Sequence, residues 1–198
     1  MTIPPVMNPT FHPAQHAAET LSGAEFPSVH TWRNKLGRVL WGFVWVFLFR
    51  YSPRPFFSWR NCLLRCFGAR IGQGTHVYPS VRIWAPWNLE AGQTVGIADG
   101  AHIYNPDRVV LEDFAVISQE VFLCSASHDY TRWTFPLVTA PIRVERHAWL
   151  AARVFVHMGV TIGEGCVIGA ASVVTRDTPP WTVCAGNPCK AIKPYDKN

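Results

Sequence analysis

The chain has 198 residues, of which 48% are apolar and only 16% charged, with a formal net charge of +5. Charged residues usually make up about 25%, so this composition excludes a disordered chain and is long enough to bury one substantial core. The basic balance, with pI ≈ 9.0, favours acidic partners, but no Lys/Arg block or RNA-reading signature appears, so nucleic acid is not expected.

Aromatic residues are abundant: nine Trp, twelve Phe and five Tyr, beside sixteen Pro. The longest apolar run, Val39 to Phe49, has 11 residues, short of the roughly 20 that span a bilayer. No basic segment leads promptly into an apolar run and a small-residue cleavage site. The expected location is cytoplasmic.

In chain order, residues 1–30 read as a loose N-terminal arm rich in Pro, His and Ala. Residues 31–70 read as a helical, aromatic segment. A helix from Trp32 to Arg50 is broken by Ser52-Pro53-Arg54-Pro55, and a second covers Trp59 to Phe67 before Gly68. Two readings stand for this segment: helices packed over the end of the main domain, or a shallow anchor at a membrane surface. Trp41, Phe43, Trp45, Phe47 and Phe49, flanked by Arg38 and Arg50, motivate the second.

Residues 71–178 carry the strongest pattern. Branched or small apolar residues recur every six positions at Ile71, Val77 and Ile83; the register slips by two near Pro86-Trp87. It resumes at Ala91, Ile97 and Ile103, slips again near Pro106, and continues at Leu111, Ile117 and Leu123. After a break of twenty-one residues it returns at Val144, Leu150, Val156, Ile162, Ile168 and Val174. Neither a helical nor a simple strand period gives this spacing. A period of six sets one apolar residue at the same inward point of every face of a triangular coil, with small residues at the corners and Gly where the backbone turns sharply. The expected architecture is all-β, a single-stranded parallel β-helix of about five coils, about 24 Å long at the usual strand spacing. A loop at about 125–143 protrudes from it, and residues 179–198 form a tail.

Six cysteines, Cys62, Cys66, Cys124, Cys166, Cys184 and Cys189, include no CxxC pair. They read as buried, reduced thiols, Cys62 and Cys66 sharing one helix face. A zinc site is not expected.

Several stretches resemble a known family: FGARIG (67–72), HIYNPDRVVLED (102–113), ISQEVFLCSASHDY (117–130), HAWLAARVFVHMGVTIGEG (147–165) and VIGAASVVTRDTPPWTVCAGNPCKAI (167–192). The chain resembles the hexapeptide-repeat acyltransferases, most closely the sugar O-acetyltransferases of exopolysaccharide clusters, the colanic-acid acetyltransferase type. The resemblance implies a left-handed coil, acetyl-CoA as donor, a sugar or glycan hydroxyl as acceptor, and a homotrimer with active sites between neighbouring prisms. No metal is expected. A zinc hydratase on the same prism needs histidines five residues apart, and no two here have that spacing.

The resemblance assigns His128, in SASHDY, as the catalytic base. An alcohol attacking a thioester must lose its proton as the C–O bond forms, and an imidazole, with an ordinary pKa near 6.5, suits that task. Asn105 matches the family's active-site Asn; the plain alternative is a turn residue before Pro106. Ser118, Asp129 and Trp133 are acceptor-side candidates, Ser118 also reading as a corner filler. For the cofactor the resemblance points to Trp149, Ala151, Ala152, Gly169, Ala170, Arg176, Gly186 and Lys190. Small residues let a pantetheine arm approach the backbone, and the cations meet nucleotide phosphates.

The apolar character of residues 38–60 departs from the small soluble members. It points to a lipid-linked acceptor and peripheral contact with the inner face of the plasma membrane. Two alternatives stay open: a different acceptor such as serine or an aminosugar, and a non-catalytic membrane-associated scaffold.

Overall fold

The computed structural model describes residues 32–196; the N-terminal arm expected over 1–30 lies outside them. The inward positions read from the sequence become three ladders of short parallel strands. Face A stacks β1 (Arg70–Ile71), β4 (Leu89–Ala91), β7 (Val109–Leu111), β12 (Ile142–Val144) and β15 (Thr161–Ile162). Face B stacks β2 (His76–Val77), β5 (Gly96–Ile97), β8 (Val116–Ile117), β13 (Trp149–Leu150), β16 (Val167–Ile168) and β18 (Thr182–Ala185). Face C stacks β3 (Arg82–Ile83), β6 (His102–Tyr104), β9 (Phe122–Cys124), β14 (Phe155–Val156) and β17 (Val173–Val174).

Register explains why a six-residue period suffices. Ile71 pairs with Ala91, Ala91 with Leu111, Leu111 with Val144, and Val144 with Ile162. Equivalent columns run through Ile97, Ile117, Leu150 and Ile168 on face B and through Ile83 and Ile103 on face C. All fifteen repeat positions are buried, and they form one continuous core. Burying one such side chain contributes about 1.5–3 kcal/mol. The first slip of register is a short 3-10 turn at Pro86–Asn88.

The twenty-one-residue break leaves the prism as a hairpin, β10 (Ala126–His128) pairing antiparallel with β11 (Leu137–Thr139). The chain then re-enters the core at Ile142. After the last coil, β18 is covered by β19 (Lys190–Pro194), also antiparallel.

Two helices close the N-terminal end. Helix α1 (Trp32–Val44) runs into a π-helical turn (Trp45–Phe49), and α2 is Phe57–Cys66, starting two residues earlier than the sequence indicated. Trp41, Phe49 and Leu64 cap the core, with the Trp41 ring 5.2 Å from that of Phe67. Trp41 Nε1 donates to the Ile83 carbonyl at 2.7 Å and Trp45 Nε1 to that of Val81 at 2.8 Å. Arg60 is fully buried; it donates to the carbonyls of Val77, Pro53 and Arg54 and to Ser52 Oγ. This one side chain ties α2 and the Pro-rich break to the first coil, and burial holds its pKa below the usual guanidinium value.

The cysteines divide. Cys166 and Cys184 are buried, whereas Cys62 and Cys66 are exposed. The single reading of buried thiols fails for that pair, because the face of α2 that they share points away from the core.

Candidate active site

His128 ends β10 on the protruding hairpin and is exposed. Its Nδ1 lies 2.5 Å from the Phe135 carbonyl oxygen. A carbonyl only accepts, so in the neutral imidazole Nδ1 carries the hydrogen and Nε2 presents its lone pair. Phe135 holds that carbonyl in place from a left-handed backbone conformation, φ 43°, which a phenylalanine rarely adopts. Its own N–H donates to the Arg132 carbonyl. Sequence reasoning missed Phe135, since a main-chain carbonyl leaves no signature in the side-chain alphabet.

Asp129 does not reach the imidazole through a hydrogen bond. Its Oδ1 accepts from the Thr131 amide at 3.0 Å and from Thr131 Oγ1 at 2.6 Å. These bonds, the hydroxyl's first, hold its pKa below the usual carboxylate value. Its own amide donates to Pro136, so Asp129 pins the hairpin that carries His128. Trp133, on the same hairpin, is exposed.

Asn105 is fully buried beneath this corner of the prism. Its Nδ2 donates to the Ala85 carbonyl at 2.8 Å, and its Oδ1 accepts from the Ala85 amide at 3.0 Å. One coil on, Ser125 donates its amide hydrogen to the Tyr104 carbonyl. The side chain clamps successive coils under the hairpin and is not presented to solvent.

The small residues fall on a different edge. Ser118, Ala151, Gly169 and Ala185 each follow an inward residue of face B and stack coil upon coil. The Ser118 amide donates to Leu150, Ala151 to Ile168 and Gly169 to Cys184. A Cβ on Gly169 would sit 2.8 Å from that of Ala185, so this closeness requires glycine. Ala152 and Ala170 flank the strip. Trp149 stands beside it, half exposed, and its Nε1 donates to Ser118 Oγ at 2.9 Å. At the far end Lys190 pairs in register with Ala185. Gly186, with φ 105°, begins the turn between them, its amide bonded to Ser172 Oγ. A narrow strip between an indole and a lysine suits a thin arm ending in phosphates.

Arg176 follows Val174 of face C and lies at the edge shared with face A, the edge from which the His128 hairpin leaves. The strip lies between faces B and C. At six residues per face these edges are separated by roughly 15–20 Å. Within one chain the structure brings Trp149, Ser118, the small residues and Lys190 together, and keeps His128 and Arg176 apart from them.

Cys166 and Cys189, near the C-terminal end of the prism, offer no rival nucleophile. Burial pushes Cys166 up to about 12 and Cys189 up to about 11, so both stay protonated at neutral pH.

A stacked prism, an edge of small residues and an exposed histidine on a loop are the arrangement that the resemblance to the hexapeptide-repeat acyltransferases implied. No family model matches the chain. It is 38% identical over 175 residues, 88% of this chain and 96% of the relative, to an Escherichia coli K12 protein named as a colanic acid biosynthesis acetyltransferase, WcaF. It is 29% identical over 151 residues to galactoside O-acetyltransferase of the same organism, covering 75% of this chain and 74% of that one. The structure of galactoside acetyltransferase in complex with coenzyme A superposes with a TM-score of 0.76 at 27% identity, over 83% of each chain. A maltose O-acetyltransferase from Clostridium difficile 630 gives a TM-score of 0.77 at 24% identity, over 84% of this chain and 90% of that one, and shares the fold. The chain belongs to the hexapeptide-repeat acetyltransferases of the colanic-acid biosynthesis type. Its coil is the left-handed β-helix of that family, and the protein is an acetyltransferase.

Proposed function

We propose that the protein transfers the acetyl group of acetyl-CoA to a sugar hydroxyl in exopolysaccharide or other surface-glycan biosynthesis, with His128 as general base. The observation that carries this reading is the bond between His128 Nδ1 and the Phe135 carbonyl, which leaves Nε2 free to accept a proton. Nε2 takes the hydroxyl proton as the acceptor oxygen bonds to the thioester carbonyl carbon. The C–S bond then breaks, and the imidazolium returns that same proton to the departing thiolate. The acyl group passes directly to the acceptor, with no covalent enzyme intermediate.

The strip of Ala151, Ala152, Gly169 and Ala170 holds the pantetheine arm beside Trp149; Ser118, expected on the acceptor side, joins this strip instead, through its bond to the indole. Lys190 meets the phosphates from the chain that supplies the strip, Arg176 can reach them only from a neighbouring copy, and Gly186 sets the turn that brings Lys190 into place. Trp133 offers a flat apolar ring to the acceptor sugar. Asn105 and Asp129 act as positioning residues under and within the hairpin. Because His128 and the strip lie on different edges of one prism, the complete site forms between copies, in a homotrimer. The acceptor is lipid-linked and is met at the inner face of the plasma membrane.

Acetyl-CoA turnover against free glycans, nucleotide sugars and lipid-linked glycans tests the assignment. His128→Ala should leave a folded, assembled protein and lower the rate at least about a hundredfold. Near-normal turnover in that variant would remove His128 from the mechanism.

A further inference from the structure

The outer surface of α1 reverses the usual arrangement of a helix on a domain. Its buried side is carried by Trp41. Its opposite side, continued through the π-helical turn, is a stripe of Trp32, Leu36, Leu40, Phe43 and Phe47, all exposed, at spacings of three and four residues. Phe43 and Phe47 are 60% and 68% exposed, and their rings stack at 6.4 Å. No described helix is long and apolar enough to cross a membrane.

Charge accompanies the stripe. Between Phe26 and Leu89 the sequence contains no Asp or Glu, yet it holds Arg33, Lys35, Arg38, Arg50 and Arg82. None of these five forms an ion pair among the described residues. Beside the stripe, α1, the π-helical turn, β3 and β6 enclose a cavity of about 430 Å³ lined by Arg38, Trp41, Trp45, Arg82, Trp84 and His102. Its walls are fixed, since two of the indoles are bonded to the backbone flanking and within β3. The Arg38 guanidinium lies 4.3 Å from the Trp84 ring centre and that of Arg82 lies 5.5 Å from Trp45. Arg38 Nε is buried without a hydrogen-bond partner. Two guanidiniums and an imidazole therefore line a cavity that contains no carboxylate.

We propose that this face lies in the headgroup layer of an anionic phospholipid surface, with the stripe among the acyl chains and a lipid phosphate in the cavity between Arg38, Arg82 and His102. The inference deepens the membrane location proposed above and rests on it. Charge selects lipid over a second copy of the chain. Glu90, Glu112, Glu120 and Asp99 are already paired with arginines of their own chain, and Asp107, Asp113, Asp129, Glu145 and Asp177 accept backbone or hydroxyl hydrogens, so few carboxylates are left to meet five cations on a neighbour. An apolar stripe rimmed by Arg and Lys, on a helix too short to span, is the pattern of an interfacial helix.

Flotation of the full chain with phosphatidylcholine vesicles, with and without phosphatidylglycerol, tests the proposal without measuring turnover. Binding to the anionic vesicles should exceed that to neutral ones by about tenfold or more, and should weaken with salt. Arg38→Gln with Arg82→Gln should remove most of that preference. Phe43→Ser with Phe47→Ser should lower binding to both vesicles by at least about tenfold. Absence of flotation, or equal flotation of either double variant, overturns the proposal. So does tight binding of inorganic phosphate through Arg38 and Arg82 without flotation, which assigns the cavity to a free anion. A smaller assembly on gel filtration of the Phe43/Phe47 variant assigns the stripe to a contact between copies, with the same consequence. Lost flotation with intact turnover of a soluble acceptor leaves the acetyl-transfer reading standing.

Discussion

The prism and its helical cap are both rich in apolar residues, but they use them in opposite ways. In the prism each repeat residue points inward, from Ile71 through Val174, and meets its counterpart in the next coil. In the cap, Trp41, Phe49 and Leu64 are buried while Leu36, Phe43 and Phe47 face outward. Apolar composition therefore reports burial only where a period ties each residue to one direction. In the prism the backbone ladder imposes that tie. In the cap a helix only a few turns long has two faces, and the core can cover one of them.

The contrast can be broken at its strongest point first. Leu123→Ala removes a fully buried side chain from the third coil and should cost about 3–4 kcal/mol in urea unfolding. A smaller loss, near that of a surface change, would mean that the coils pack more loosely than their register implies. Next comes the junction. Arg60→Ala leaves the buried Val77 carbonyl without its donor and should cost about 2–3 kcal/mol. Hydrogen exchange should then quicken in α1 and α2 while the later coils remain protected. Equal loosening throughout would show that cap and prism unfold as one unit. At the site, Lys190→Ala should raise the KM for acetyl-CoA about tenfold with kcat little changed, as expected for a charge that binds phosphates and takes no part in the chemistry. A fall in kcat alone would place Lys190 elsewhere in the mechanism.

Two smaller effects sharpen the same comparison. His102, at the seam between cap and prism, has its pKa lowered by burial and then by Arg82. A histidine that binds its proton less readily when folded leaves stability intact above the unfolded pKa, near 6.5, and loses it as pH falls through the folded value. His102→Phe should flatten that acid-side slope in urea titrations, and an unchanged slope would exclude this histidine as its source. Phe43→Ser, on the outward face, should change stability by no more than about 0.5 kcal/mol. A large loss would place Phe43 in a packed interface.

The candidate base was legible in SASHDY, where the resemblance points to His128 and the hexad pattern stops just before it, at the mouth of a loop. What orients the ring was not legible, since Phe135 acts through its carbonyl and through a backbone angle. Asn105 shows the converse. Its position before Pro106 supported both a site residue and a turn residue, and its two bonds to Ala85 give it a clamping task inside the corner.

The sequence alone determined the prism. A six-residue period leaves one way to bury every repeat residue, so the columns, the breaks and the point where the hairpin departs can all be counted along the chain. Only the tertiary structure decided which side chains meet one another at an edge and which side of α1 the core covers. Both depend on contacts between residues distant in sequence: Asn105 with Ala85, Trp149 with Ser118, Trp41 with Ile83. A local period specifies how a chain turns, and long-range packing specifies what each turn faces.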